Sequence, residues 1–133
     1  MSTPSPQQRI SLPKGKAFTV LIDSPNYPSD YPGELTFSQD LVSLEWTAAY
    51  SVPSVELTEL NCKVKQPGPK LEFGFTLEKV TEDQQKAGYM HGEYRFSFDP
   101  PGGGATHFSG HVKDPRPDQA EDTFTARGNE GPV

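Results

Sequence analysis

The residues of this chain that could carry out acid–base or metal chemistry lie in its C-terminal third. They are the three histidines, one glutamate and one arginine on the polar phase of two alternating segments: His91, Glu93, Arg95, His107 and His111. Imidazole and carboxylate groups on one face can transfer protons or bind a metal ion. The same alternation is typical of a solvated sheet face, which is the favoured interpretation. We therefore predict no catalytic residue, no metal ion and no cofactor, and keep these five residues as an alternative site.

The pairing of the two segments decides whether these residues share a face. We predict a hairpin of residues 89–98 and 106–113 in which Phe96 lies opposite Phe108, because both apolar sets then lie on one side. The polar pairs of this register are Ser97 with His107, Arg95 with Ser109, Glu93 with His111 and His91 with Lys113. In an enzyme or a small-ligand barrel, this face would point into the lumen, with Glu93 and His111 as the acid–base pair.

A second candidate site is the proline-stiffened loop 24–33, which reads SPNYPSDYPG and carries two tyrosines four residues apart. Exposed and rigid tyrosines bind protein or carbohydrate partners at a low cost in conformational entropy. In a small β domain the same rings can instead cover one end of the core, and we favour that role. The candidate ligand-binding residues of the loop are Tyr27, Tyr31, Asn26 and Asp30.

The elements that must position these residues are β-strands. Apolar residues recur at every second position in most apolar runs, for example in 41–51 and 71–77, and proline or glycine separates the runs. The fold class is therefore all-β, a single-domain antiparallel β-sandwich of about eight strands, with a small closed β-barrel as the alternative. The centre of the core is expected to contain Leu44, Trp46, Phe73, Phe75, Phe96, Phe98 and Phe108.

Two local features can be predicted more closely. In residues 55–65 the apolar phase changes from odd positions, such as Leu57, to even positions, such as Leu60 and Cys62, which indicates a β-bulge. Residues 81–88, TEDQQKAG, favour one helical turn that is capped by Thr81 and ended by Gly88.

Length and composition limit the organisation of the chain. Its 133 residues predict one domain over residues 10–127, with flexible tails at 1–9 and 128–133. Only 32% of the residues are hydrophobic, so a homo-oligomer could bury further surface. Cys62 is the single cysteine, which excludes an intrachain disulfide. Together with an N-terminus that has no apolar signal segment, it favours a cytoplasmic location, while a mature secreted form stays open.

The net charge of −6 argues against two classes of partner. An acidic surface repels the phosphates of nucleic acids and of anionic membranes, and no run approaches the roughly 18 apolar residues of a membrane span. Because no nucleophile or cofactor motif is present, we favour a non-catalytic binding or assembly module. It would recognise a protein or carbohydrate partner through loops at one end of the domain. The alternative is a small-ligand-binding barrel or a barrel enzyme that uses the His/Glu face.

Overall fold

Eight antiparallel strands form most of the described chain, which confirms the all-β prediction. The computed structural model describes residues 12–24, 27, 31–102, 104–116 and 121–128. The strands are β1 (Ala17–Asp23), β2 (Gly33–Gln39), β3 (Trp46–Val52), β4 (Leu57–Lys63), β5 (Leu71–Leu77), β6 (Gly92–Phe98), β7 (His107–Lys113) and β8 (Asp122–Gly128). A 3-10 turn at Pro53–Val55 precedes β4, and a five-residue helix, α1 (Glu82–Lys86), precedes β6. The predicted tails lie outside the described residues, except that Gly128 ends β8.

The sheet curls into a nearly closed barrel. Consecutive strands pair from β1 to β4 and from β5 to β8, and β1 also pairs with β8. At the remaining seam, between β4 and β5, the backbones of Lys65 and Glu72 exchange two hydrogen bonds of 2.8 Å. The architecture is therefore the barrel alternative and not the preferred sandwich. Alternation separates an inner from an outer face in both architectures, so it could not decide between them.

Aromatic rings fill the interior of the barrel. Phe73 stacks on its cross-strand partner Phe96 with ring centroids 4.9 Å apart, and Phe75 stacks on Tyr94 at 5.2 Å. Seven further rings or aliphatic side chains with almost no exposure complete this core: Phe18, Phe37, Phe98, Phe124, Leu35, Leu71 and Val112. Six of the seven predicted core residues pack here, although Phe75 and Phe108 stay partly exposed.

The predicted core position of Leu44 is wrong. β3 begins at Trp46, and residues 41–45 form an exposed loop. The carboxylate of Asp40 accepts hydrogen bonds from the backbone N–H groups of Val42 and Ser43, which closes a turn and takes these residues out of the ladder. The even-numbered apolar residues Val42 and Leu44 therefore continue the alternation of β3 but lie in a loop and not in the strand.

The predicted register of the β6–β7 hairpin is also wrong, by four residues. Phe96 pairs with Val112 and not with Phe108, and Phe98 pairs with Gly110. A side-chain Cβ at position 110 would lie 2.7 Å from the Cβ of Phe98, so glycine leaves the space that this cross-strand neighbour needs. The first residues of β7 pair only with β8, as the stagger of barrel strands requires. Because the shift is even, the inner and outer faces stay as predicted.

Both local predictions are confirmed. Tyr50 pairs with Leu60 and Val52 pairs with Leu57, so β4 carries one extra residue where the apolar phase changes. Thr81 caps α1 in a capping box with Gln84, and Gly88 follows the helix with a left-handed φ of +96°.

Among the described residues, no helix is long and apolar enough to cross a membrane.

Candidate functional site

Four tyrosines close one end of the barrel. Tyr50 from β3 and Tyr94 from β6 meet Tyr89, which follows α1, and Tyr27, which lies in the β1–β2 loop. The hydroxyls of Tyr50 and Tyr89 are 2.6 Å apart, and those of Tyr27 and Tyr94 are 3.3 Å apart. We call these four residues the tyrosine plug. All four are buried, so their rings seal this end against solvent.

An ion pair from the loop after β7 completes the seal. Asp114 is fully buried and accepts a hydrogen bond of 2.9 Å from the hydroxyl of Tyr27. Arg116 donates from Nη1 to the same carboxylate and from Nη2 to the carbonyl of Gly88 at 2.9 Å. Its guanidinium also lies over the ring of Tyr27, 5.5 Å from the centroid. One charged hydrogen-bond network therefore links the β1–β2 loop, the segment after α1 and the loop after β7.

Burial controls the protonation of this end. It raises the pKa of Tyr27, Tyr50, Tyr89 and Tyr94 above the ordinary value of a tyrosine, because the phenolate is poorly solvated there. Burial opposes the charge of Arg116, but its hydrogen bond to Tyr27 and the charge of Asp114 outweigh this effect and raise its pKa. The tyrosines thus stay neutral hydrogen-bonding groups, while the guanidinium of Arg116 stays charged.

The ring of Tyr27 therefore covers one end of the core, the role that the sequence favours for the loop tyrosines. Tyr27 is 6% exposed and Tyr31 is partly buried against the core. Asn26 and Asp30, the other candidate ligand-binding residues, lie outside the described residues. Sequence reasoning missed Asp114 and Arg116, because the segment DPRPDQ is typical of an exposed turn.

The alternative His/Glu site does not line a lumen. All five of its side chains are exposed on the outer wall or at its edge. His91, Glu93 and Arg95 lie together in a surface depression of about 580 Å³, where Arg95 approaches Glu93 at 3.4 Å. His111 lies opposite Ser97 and not Glu93, and His107 lies opposite Arg127 on β8. The predicted pairing of Glu93 with His111 is wrong, and the structure brings three of the five residues together.

No metal-binding arrangement is present in the part of the chain that the structure describes. There, no group of three or more histidine, cysteine, aspartate and glutamate residues is suited to hold an ion. Cys62 is buried in β4, and burial raises the pKa of its thiol, which disfavours the reactive thiolate.

The opposite end of the barrel carries an apolar loop, residues 40–45, that sequence reasoning missed as a site. Leu41, Val42 and Leu44 are 85%, 92% and 62% exposed, whereas the other large hydrophobic residue exposed in the described ranges, Leu21, reaches only 41%. Exposed apolar groups that lie together often mark an interaction surface. The only signal in the sequence was Asp40, a turn-forming residue directly before the apolar run.

Hydrogen bonds hold the 40–45 loop in one shape. The backbone N–H of Asp40 donates to Glu45 O, and the N–H of Leu44 donates to Asp40 O, both at 2.9 Å. Gln39 Nε2 donates to Leu44 O at 3.0 Å. Leu44 has a φ of +63°, which is costly for a leucine and which these bonds maintain. The backbone N–H groups of Ser43 and Val42 lower the pKa of Asp40, so its carboxylate stays charged.

Charged residues of both signs flank the apolar loop. A depression of about 360 Å³ beside Leu44 is lined by Trp46, Val64 and the charged residues Glu45, Lys63 and Lys65. The ammonium group of Lys14 lies 5.8 Å from the centre of the Trp46 ring. Lys63 also lies 3.8 Å from Glu45 at the end of the loop.

No protein-family model, curated protein or solved structure matches this chain. Its function must therefore be inferred from its own geometry.

Proposed function

We propose that this protein is a non-catalytic binding module that recognises a protein partner through the 40–45 loop. The observation that carries the proposal is the exposure of Leu41, Val42 and Leu44 on a loop that hydrogen bonds hold in one conformation. The sequence favoured the tyrosine loop, at the other end of the barrel, as the partner-binding segment. Because Tyr27 is buried there, the exposed 40–45 loop is the better candidate.

The physical basis is apolar burial at a low entropic cost. Burying a leucine or valine side chain stabilises a complex by about 1.5–3 kcal/mol before the costs of association. A loop that is already ordered loses little conformational entropy when it binds. The left-handed Leu44 and the two bonds to Asp40 provide this order.

The chemistry of the loop favours a protein over a carbohydrate. Its three exposed apolar side chains, Leu41, Val42 and Leu44, are aliphatic and offer neither a hydrogen bond nor a ring face. Sugar hydroxyls buried against such groups would lose their hydrogen bonds to water without replacement. An apolar pocket on a protein, into which the convex loop fits, is the complementary surface. The interior of the barrel offers less support for a small-ligand carrier, because aromatic rings in mutual contact occupy it.

Site-specific photo-crosslinking in an extract of the source cells tests the proposal. A photo-reactive amino acid replaces Val42 in one protein and Leu21, on the outer wall of β1, in the control. We expect protein adducts from position 42 that are absent from position 21. The adducts should disappear when Leu41 and Leu44 are both changed to serine beside the probe. If position 42 gives no protein adduct, or the same adducts as position 21, the proposal is wrong.

A further inference from the structure

A depression of about 790 Å³ lies at the plugged end of the barrel, beside the tyrosine plug. Its lining comes from Gln85 of α1 and from three connecting segments: residues 78–80 before α1, residues 90–91 after α1, and Arg116 after β7. Small-molecule sites typically have volumes of about 300–1,000 Å³. The depression is therefore large enough for a small organic ligand.

Cations outnumber carboxylates in this lining. Lys79, His91 and Arg116 line the depression, and Glu78 is the one carboxylate among the described residues that do so. The acidic residues in the first turn of α1 do not line it. The local charge is therefore opposite in sign to the net charge of −6 of the chain.

The positive charge continues into the adjacent depression of about 580 Å³. Lys113 lines it and donates to the backbone carbonyls of Asp114 at 3.4 Å and of Arg116 at 3.2 Å, which hold its ammonium group in place. The two carboxylates that line this depression are already paired, Glu93 with Arg95 and Asp114 with Arg116.

Three side chains around the two depressions have no counter-charge of their own. Within the described ranges, no carboxylate lies at ion-pair distance from Lys79, His91 or Lys113. Glu78 shares the larger depression with two of them but forms no ion pair there. A bound anion would therefore meet cations that no neighbouring carboxylate already holds.

Arg116 is a fixed hydrogen-bond donor in this lining. Its Nη1 donates to Asp114 and, at 3.3 Å, to the hydroxyl of Tyr27, and its Nη2 donates to Gly88 O at 2.9 Å. These bonds leave the N–H of Nε and one N–H of Nη2 without an acceptor among the described residues. Asp114 offsets the charge of Arg116, so these N–H groups are its contribution. A guanidinium held in place binds a carboxylate or phosphate with little loss of conformational entropy.

The same depression has an apolar part. Val80 and Met90 line it, and both side chains are half-buried. A methionine side chain is flexible and adapts its shape to an apolar partner. A ligand that suits both parts combines an anionic group with an apolar body.

We propose that this depression binds a small organic anion. Its carboxylate, sulfonate or phosphate group lies at Lys79, His91 and Arg116, and its apolar body lies on Val80 and Met90. Because the acidic chain as a whole repels anions, binding requires a local cluster of cations such as this one. The site lies at the end opposite the 40–45 loop and does not depend on the proposed function of that loop.

Fluorescence titration of the full chain with two probes tests the proposal. Anilinonaphthalene sulfonate joins a sulfonate to an aromatic body, and phenylnaphthylamine is the same body without the sulfonate. We expect saturable binding of the sulfonate, with a Kd at least about tenfold lower than that of the neutral probe. Added salt should weaken binding of the sulfonate, because it screens exposed charges.

Variants locate the probe. K79Q/H91Q should raise the Kd of the sulfonate by at least about fivefold and leave that of the neutral probe unchanged. K65Q/H107Q is the matched control, because it removes the same two residue types from exposed positions outside the depression. M90Q should weaken the binding of both probes, because it removes apolar contact. Circular dichroism checks that each variant is folded.

Any of four results would overturn the anion site. The sulfonate shows no saturable binding, the neutral probe binds as tightly, or K79Q/H91Q has no larger effect than K65Q/H107Q. The fourth is loss of sulfonate binding in L41S/V42S/L44S, which would place the probe on the apolar loop. Binding that persists in this variant and weakens in K79Q/H91Q supports the depression.

Discussion

Loss of the buried carboxylate at the plugged end should destabilise the barrel far more than loss of an exposed one. In Asp114→Asn the side chain keeps its shape but loses its charge and replaces one acceptor oxygen with a donor. The wild-type carboxylate accepts from the hydroxyl of Tyr27, from the guanidinium of Arg116 and, at 3.0 Å, from the backbone N–H of Arg116. The amide can satisfy only part of this set, and Arg116 loses its counter-charge.

The size of the effect follows from the burial of the two partners. Removal of one member of a fully buried ion pair costs about 3–5 kcal/mol. The side chain of Asp114 is 0% exposed, but that of Arg116 is 27% exposed, so water can solvate part of the freed guanidinium. We therefore expect the free energy of unfolding to fall by about 2–3 kcal/mol.

Urea denaturation followed by circular dichroism measures this change. Asp99→Asn is the matched control, because Asp99 pairs with Lys70 at 3.0 Å while 79% exposed, and its loss should cost less than about 1 kcal/mol. A double-mutant cycle with Arg116→Met should show that the second substitution costs less once Asp114 is gone. If Asp114→Asn costs no more than Asp99→Asn, or if the cycle is additive, the ion pair does not hold this end closed.

Three further predictions concern the loop, the wall and the plug. Leu44→Gly should leave the free energy of unfolding unchanged or raise it by up to about 1 kcal/mol in urea denaturation, because glycine accepts the positive φ. Val42→Gly is the control in the same loop and should lower the free energy of unfolding. Gly110→Ala should lower stability by about 1–3 kcal/mol, because its Cβ would lie 2.2 Å from Ser97 O, whereas Gly68→Ala meets no atom within 4 Å and should be neutral. The pKa values of the plug tyrosines are raised in the folded state, so their contribution to stability is complete below the ordinary value of 10.0 and is lost as the pH rises above it. Urea midpoints measured across this range should fall, and unchanged midpoints would contradict the burial of the hydroxyls.

Much of the fold could be predicted from the sequence, because side-chain alternation is a local property of a strand. The inner phase of β5 and β6, the bulge near Leu57 and the capped turn at Thr81 all follow from neighbouring residues. Whether the sheet splits into a sandwich or closes on itself depends on the pairing of β1 with β8, which lie at opposite ends of the described chain. No local pattern specifies this pairing.

The errors in the site predictions have the same physical origin. The four-residue shift between β6 and β7 is set by the barrel stagger and by the space that Gly110 leaves for Phe98, both of which are properties of the assembled sheet. The apolar residues at positions 42 and 44 keep the alternation of a strand, yet Asp40 bonds to the loop backbone and prevents it. Asp114 accepts a hydrogen bond from Tyr27, which is 87 residues away in sequence. A segment with the sequence of an exposed polar turn therefore belongs to a buried hydrogen-bond network.

The distribution of side chains gives the two parts of the molecule different roles. The rings that fill the barrel stabilise it through apolar burial. Because they occupy the interior, a partner can contact only the ends and the outer wall. One end is closed by hydroxyls and an ion pair that satisfy each other. The other end exposes three aliphatic side chains, which add nothing to the packed core and are costly in water unless a partner covers them. Because hydrogen bonds hold these residues in a fixed and locally strained loop, their exposure is specified by the fold, which favours a binding role at the end that carries the 40–45 loop.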